Sequence, residues 1–130
     1  MSSDLRFLIV DDFSTMRRIV KNFLNDLGYP HVVEADDGTT AQPILRRGEV
    51  DFLITDWNMP EMQGLDLLKW VRSEPKLANL PVLLLTAEAK REQIIEAAEA
   101  GVNGYVVKPF NAQTLKDKIE KILRARAAAA

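Results

Sequence analysis

The stretch Ile54-Thr55-Asp56-Trp57-Asn58-Met59-Pro60 (ITDWNMP) continues an apolar run, Phe52-Leu53-Ile54, that is built for burial, and ends it on a carboxylate followed by a turn. Such an acid either caps the next element or is a reagent held at the end of a rigid strand. The neighbouring runs bear on the choice. Phe7-Leu8-Ile9-Val10 stops at Asp11-Asp12, Val82-Leu83-Leu84-Leu85 at Thr86, and Tyr105-Val106-Val107 at Lys108; His31-Val32-Val33 completes five strand-length segments.

Helical spacing fills the intervals. Met16, Val20, Phe23, Leu24 and Leu27 form one stripe before a stop at Gly28. Leu65, Leu68 and Val71 mark a helix after Gly64, and Ile94, Ile95 and Ala98 another that stops at Gly101. Asn111 can cap a last helix in which Leu115, Ile119, Ile122 and Leu123 share a face. Gly38 to Arg47 is the weakest helix, because Pro43 clashes with the carbonyl four residues back unless it sits in the first turn; that helix is expected to start late or bend. Strands apolar on both faces, alternating with helices, predict an α/β domain with a five-stranded parallel sheet covered on each side. No linker or repeat interrupts residues 5–124, so 1–130 is read as a single domain with a short tail, 125–130, that could extend the last helix.

Composition narrows the function. At 130 residues and 47% hydrophobic, the chain can bury a core without staples, and the absence of cysteine removes disulfides, thiolate metal sites and cysteine nucleophiles. A net charge of -2 gives no ground for wholesale nucleic-acid binding through phosphates. Charge is uneven: residues 1–86 carry a net -4 and 87–130 a net +2, which suits either an acidic partner or a solvated helix face. The start, Met1-Ser2-Ser3-Asp4, lacks signal-peptide features and no apolar stretch approaches spanning length, so a cytoplasmic protein with no membrane partner is expected.

In an open parallel sheet, ligands bind beyond the carboxyl ends of the strands. Four strands deliver three carboxylates, a hydroxyl and an ammonium to that edge. Singly, each has a plain explanation: Asp11 or Asp12 caps a helix, Thr86 serves a turn, Lys108 is a surface charge. Together they repel or demand a cation, and an oxygen-only set suits Mg2+. An acid, a divalent ion, an ammonium and a hydroxyl at one point suit phosphoryl transfer, with Asp56 on the central strand as nucleophile, Asp11 and Asp12 on the metal, and Lys108 and Thr86 on the phosphoryl oxygens.

FLIVDDFSTMRRIV, ITDWNMPEMQGLDLL, LLLTAEAK and GYVVKPF together resemble the receiver domain of bacterial response regulators, in particular its single-domain chemotaxis members, from about Leu5 to Leu123. The resemblance implies a flavodoxin-like fold of strand order 2-1-3-4-5. It implies Asp56 as phosphoacceptor, a Mg2+ shell of Asp11, Asp12, Asp56 and the backbone carbonyl of Asn58, phosphoryl contacts from Thr86 and Lys108, and a cis Lys108-Pro109 bond. Tyr105 resembles the family's aromatic switch, which swings inward when Thr86 moves toward the phosphate; without the resemblance it reads as an ordinary edge-strand tyrosine. The donor would be a CheA-like histidine kinase. His31, the only histidine, is therefore not the donor and is expected to be partly buried and structural.

With no output module after the last helix, the signal is expected to leave by binding. The resemblance implies a face of Ala87, Ala89, Lys90, Ile94, Ala98, Tyr105, Val107, Lys118 and Lys121 that engages a FliM-like flagellar motor switch protein, with a CheZ-like phosphatase as a further partner and a monomeric state. The protein is read as a signalling protein, not an enzyme, that takes part in its own phosphotransfer and dephosphorylation. The alternative is a phosphorelay carrier that passes the phosphoryl group to another histidine protein. A haloacid-dehalogenase-like phosphatase would need an acid two residues beyond the nucleophile, where Asn58 stands. A nucleotide or flavin module would need a glycine-rich loop where Asp11-Asp12-Phe13-Ser14 stands.

Overall fold

The computed structural model describes residues 4–129. The expectations placed on Met1 to Ser3 and on Ala130 lie outside the described residues. In chain order the elements are β1 (Arg6–Val10), α1 (Ser14–Asp26), β2 (His31–Ala35), α2 (Gly38–Arg46), β3 (Phe52–Asp56), α3 (Gly64–Ser73), β4 (Val82–Thr86), α4 (Arg91–Glu99), β5 (Gly104–Val107) and α5 (Ala112–Ala129). The five strands are parallel and lie in the order β2-β1-β3-β4-β5. Among the described residues, no helix is long and apolar enough to cross a membrane.

Period-two alternation splits the core across the sheet. Phe7, Ile9, Phe52, Ile54, Leu83 and Leu85 face α1 and α5, meeting Val20, Leu24, Leu115 and Ile119. Leu8, Val10, Leu53, Val82 and Leu84 point the other way, toward Leu45 of α2, Leu67, Leu68 and Val71 of α3, and Ala97 of α4. Full burial of each large side chain contributes about 2 kcal/mol, so the two layers hold the three inner strands rigidly.

α1 ends as its stripe predicts, with Gly28 at φ 93°. Asn111 Oδ1 accepts the Thr114 N–H at 2.8 Å, capping α5. α2 departs from expectation. It runs from Gly38 through Pro43 to Arg46, with Pro43 beyond the first turn and no late start. The lost hydrogen bond is offset at the front, where Asp37 accepts from Thr39 and Thr40 and the Thr40 hydroxyl accepts the Asp37 N–H in return. Buried Ala41 and Leu45 then fix the helix to the sheet.

His31 also departs from expectation: it is exposed. It opens β2, the sheet edge, whose residues 31, 33 and 34 are exposed because only one flank of that strand is covered by a neighbour.

Candidate functional site

The strand order reverses direction between β1 and β3, so the chain leaves these neighbours toward opposite faces and opens a crevice above their carboxyl ends. Asp11 and Asp12 follow β1, and Asp56 ends β3. One oxygen from each of the three can be chosen so that all lie within 4.8 Å of one another. Asp11 and Asp56 are buried and Asp12 is exposed.

Backbone bonds hold these acids in place. The Asp11 N–H donates to Ala35 O at the end of β2, and the Trp57 N–H to Leu85 O of β4. The Gly64 N–H closes the 57–64 loop by donating to Trp57 O at 2.8 Å. A Cβ on Gly64 would fall on the Asp56 carbonyl oxygen, so only glycine lets α3 begin this close to the strand end.

From the far side comes Lys108, whose Nζ donates to Asp56 Oδ1 at 2.8 Å and lies 3.6 Å from Asp11 Oδ2. Its backbone N–H donates to Thr86 O, and the Lys108-Pro109 bond is cis. One ammonium faces three carboxylates. Asp11 Oδ1 accepts the Phe13 N–H at 2.9 Å, but Asp11 Oδ2 is buried with no hydrogen-bond partner among the described residues. Burial pushes the Asp11 carboxyl above the ordinary carboxylate range; the charge on Asp56 pushes the same way, while the Phe13 N–H and Lys108 oppose the rise. An all-oxygen donor set with surplus negative charge and one buried oxygen left over fits a hard divalent cation.

The other residues named from sequence fall into two groups. Asn58 is exposed on the loop directly after Asp56. Thr86 is buried at the end of β4, but its hydroxyl donates to Glu88 O at 2.8 Å, not to the acids, so it serves its own turn. Ala87, Lys90, Ala98 and Val107 are exposed, and Ile94, Tyr105 and Lys118 are half-buried. Tyr105 borders a crevice of about 10 Å³ walled by Trp57, Thr86, Ile94 and Ala97, and Lys118 Nζ sits 5.5 Å from its ring centroid.

Neither acid caps α1. Phe13 occupies that position without a side-chain cap, and Asp11 instead secures the Phe13 N–H. Two side chains against the cluster escaped the sequence reading: Arg17, which donates to Asp11 O, and Glu34, which accepts from Arg17. A long side chain reaching a backbone carbonyl leaves no periodic or motif signal.

Comparison with known proteins agrees with this architecture. Residues 7–120 match the response regulator receiver domain. The chain is 70% identical over 118 residues to the chemotaxis protein CheY of Pseudomonas aeruginosa, covering 91% of this chain and 95% of that protein. Its fold matches the crystal structure of Vibrio cholerae chemotaxis protein CheY4 with TM-score 0.85 and 36% identity, over 91% of this chain and 98% of the other. It also matches the receiver domain of a sensor histidine kinase from Pseudomonas aeruginosa, with TM-score 0.81 and 26% identity over 90% and 95% of the two chains; that structure has a magnesium ion coordinated in its active-site cleft. With the family model spanning nearly all of β1 to α5 and the acids gathered at the strand ends, the chain belongs to the response regulator receiver family and is a CheY-like chemotaxis response regulator.

Proposed function

We propose that the chain acts as one receiver over residues 5–124, taking a phosphoryl group on Asp56 from the phosphohistidine of a CheA-like kinase. The P–N bond to the donor imidazole breaks as a P–O bond forms to an Asp56 carboxylate oxygen, and the imidazole takes up a proton; water later cleaves the acyl phosphate and restores the acid. The observation that carries this reading is the imbalance of three carboxylates against one ammonium around a buried Asp11 oxygen that accepts no hydrogen bond among the described residues. Asp11, Asp12, Asp56 and the Asn58 carbonyl would hold Mg2+. Once bound, the dication would offset the charge that spreads over the phosphoryl oxygens in transfer.

Lys108 already donates to Asp56 and keeps that carboxylate oriented; on transfer its ammonium follows the phosphoryl oxygens. Thr86 reaches them only by giving up Glu88 O. That exchange opens the space beside Tyr105, which at about 10 Å³ has room for one water at most and none for a phenol ring. Tyr105 then turns inward and the α4-β5-α5 face changes shape, biasing a two-state element. The half-buried Ile94, Tyr105 and Lys118, with exposed Ala87, Ala89, Lys90, Ala98, Val107 and Lys121, give that face the mixed apolar and basic character suited to an acidic, FliM-like motor partner.

Trp57 is buried beside the acceptor and reports on both steps. Its emission is expected to change with Mg2+ and again with a small-molecule phosphodonor, with Asp56→Asn losing the second change; a Trp70 variant removes background. No response to either addition refutes the reading. Pull-down on a FliM-like protein, with and without a beryllofluoride mimic, separates motor output from the phosphorelay alternative. Tyr105→Ala should keep phosphorylation and weaken that capture, and equal capture by both proteins refutes the switch.

A further inference from the structure

Arg17 stands in the first turns of α1 and spans two elements with one guanidinium. Its Nη1 donates to the Asp11 carbonyl oxygen at 2.6 Å, and its Nε donates to Glu34 Oε1 on β2 at 3.0 Å. The side chain is only 19% exposed and Glu34 35%. Lys21, one turn further along α1, brings its ammonium to 3.9 Å from the other Glu34 oxygen. The Asp11 backbone is thus gripped on both sides, its N–H by Ala35 O of β2 and its C=O by Arg17.

We propose that Arg17, anchored by Glu34, is a positioning residue for the divalent-cation site, fixing the Asp11-Asp12 peptide so that side-chain carboxylates, and not the Asp11 carbonyl, face Asp56. The inference rests on the Mg2+ site proposed above. Three acids crowd this edge, and without a restraint the loop between β1 and α1 would relax by moving Asp11 and Asp12 apart. A guanidinium satisfies two acceptors at once in a fixed plane, which an ammonium on a flexible stem does not. With its carbonyl held by Arg17, Asp11 has only its carboxylate to offer a cation.

Charge and position predict opposite signs here. Arg17 is a cation beside a cation site, so by charge alone its removal should tighten Mg2+ binding. A positioning role makes removal weaken it. The test is calorimetric titration of MgCl2 into wild type, Arg17→Met, Arg17→Lys, Glu34→Gln and the Arg17→Met/Glu34→Gln double variant, with Trp57 emission as a second readout. Both Arg17 variants are expected to bind about tenfold more weakly, the low end of what outer-shell partners cost. The double variant is expected to bind no worse than Arg17→Met, because Glu34 acts through Arg17. Unchanged or tighter binding by Arg17→Met overturns the inference. Should urea melts show that variant unfolded, Arg17→Lys decides, and wild-type affinity there overturns it equally. A wild-type protein that takes no Mg2+ overturns the proposed function and this inference with it, whereas a wild type that binds beside Arg17 variants that bind as well overturns only the inference.

Discussion

The two ends of the sheet carry the same kinds of side chain and treat them differently. At the amino end, Arg6 and Asp51 form a closed pair: Nε and Nη2 of Arg6 reach both carboxylate oxygens of Asp51 at 3.1 and 3.3 Å, and the Arg6 N–H adds a third bond at 2.9 Å. At the carboxyl end three acids cluster, two of them paired with Lys108, and a buried oxygen of Asp11 accepts no hydrogen bond among the described residues. The acids respond in opposite directions. The Arg6 guanidinium holds Asp51 below the usual carboxylate range, while burial lifts Asp11 above it. A balanced, solvated pair is finished chemistry, whereas an unbalanced, desolvated cluster holds binding capacity in reserve. What marks a site is charge left unmatched where water cannot correct it.

The contrast can be broken most completely at its centre. Asp56→Asn removes the carboxylate proposed to attack, and acid-labile phosphate incorporation from a small phosphodonor is expected to vanish, while Asp51→Asn leaves incorporation intact. Next in size is Gly64→Ala, whose methyl collides with the Asp56 carbonyl; overpacking of this kind costs about 3 kcal/mol, read as a lower urea midpoint at unchanged slope.

A smaller effect sharpens the comparison by its sign. Asp11 has a raised folded pKa, so its protonation favours the fold below the ordinary carboxylate range, and that advantage is lost as pH rises through the raised value. In Mg2+-free buffer at neutral pH, Asp11→Asn is therefore expected to stabilise the protein, read as a higher urea midpoint. Asp51 has a depressed folded pKa, so its stabilisation is present above the ordinary range and fades as pH falls through the lowered value. Its loss in Asp51→Asn costs at most about 1 kcal/mol at neutral pH, and less in high salt, because the pair is at the surface. Urea melts of both variants across pH 3–8 (a range of roughly five units around the carboxylate values) check the two signs together. The same sign for both would remove the distinction between the ends. Smallest is a control on the α4-β5-α5 face: Lys118→Ala, which loses the contact over Tyr105, should change stability by less than about 0.5 kcal/mol.

The fold was legible because its signals are local and repeated. Four of the five strands are apolar runs that stop at a polar residue, and the stripe of Met16, Val20, Phe23 and Leu24 on α1 has no alternative period. The acids were legible for the same reason, as punctuation at run ends. What escaped depends on contacts distant in sequence or on compensation. Pro43 signals a break, but the Asp37–Thr40 cap and the burial of Leu45 outweigh one missing bond. His31 opens a run that reads as a buried strand, and its place at the sheet edge exposes it. Arg17 meets Asp11 through a carbonyl, which every residue has, so no choice of residue type betrays the contact.

One feature of the carboxyl edge reaches beyond chemistry. Asp56 and Lys108 are partners across 52 residues, and they meet only when β5 has docked beside β4. A chain caught midway through assembly, or clipped before its fifth strand, keeps its aspartate but leaves it hydrated and without an ammonium. Under the function proposed above, such a molecule is expected to be mute, so that misassembled copies would weaken a signal without adding false ones.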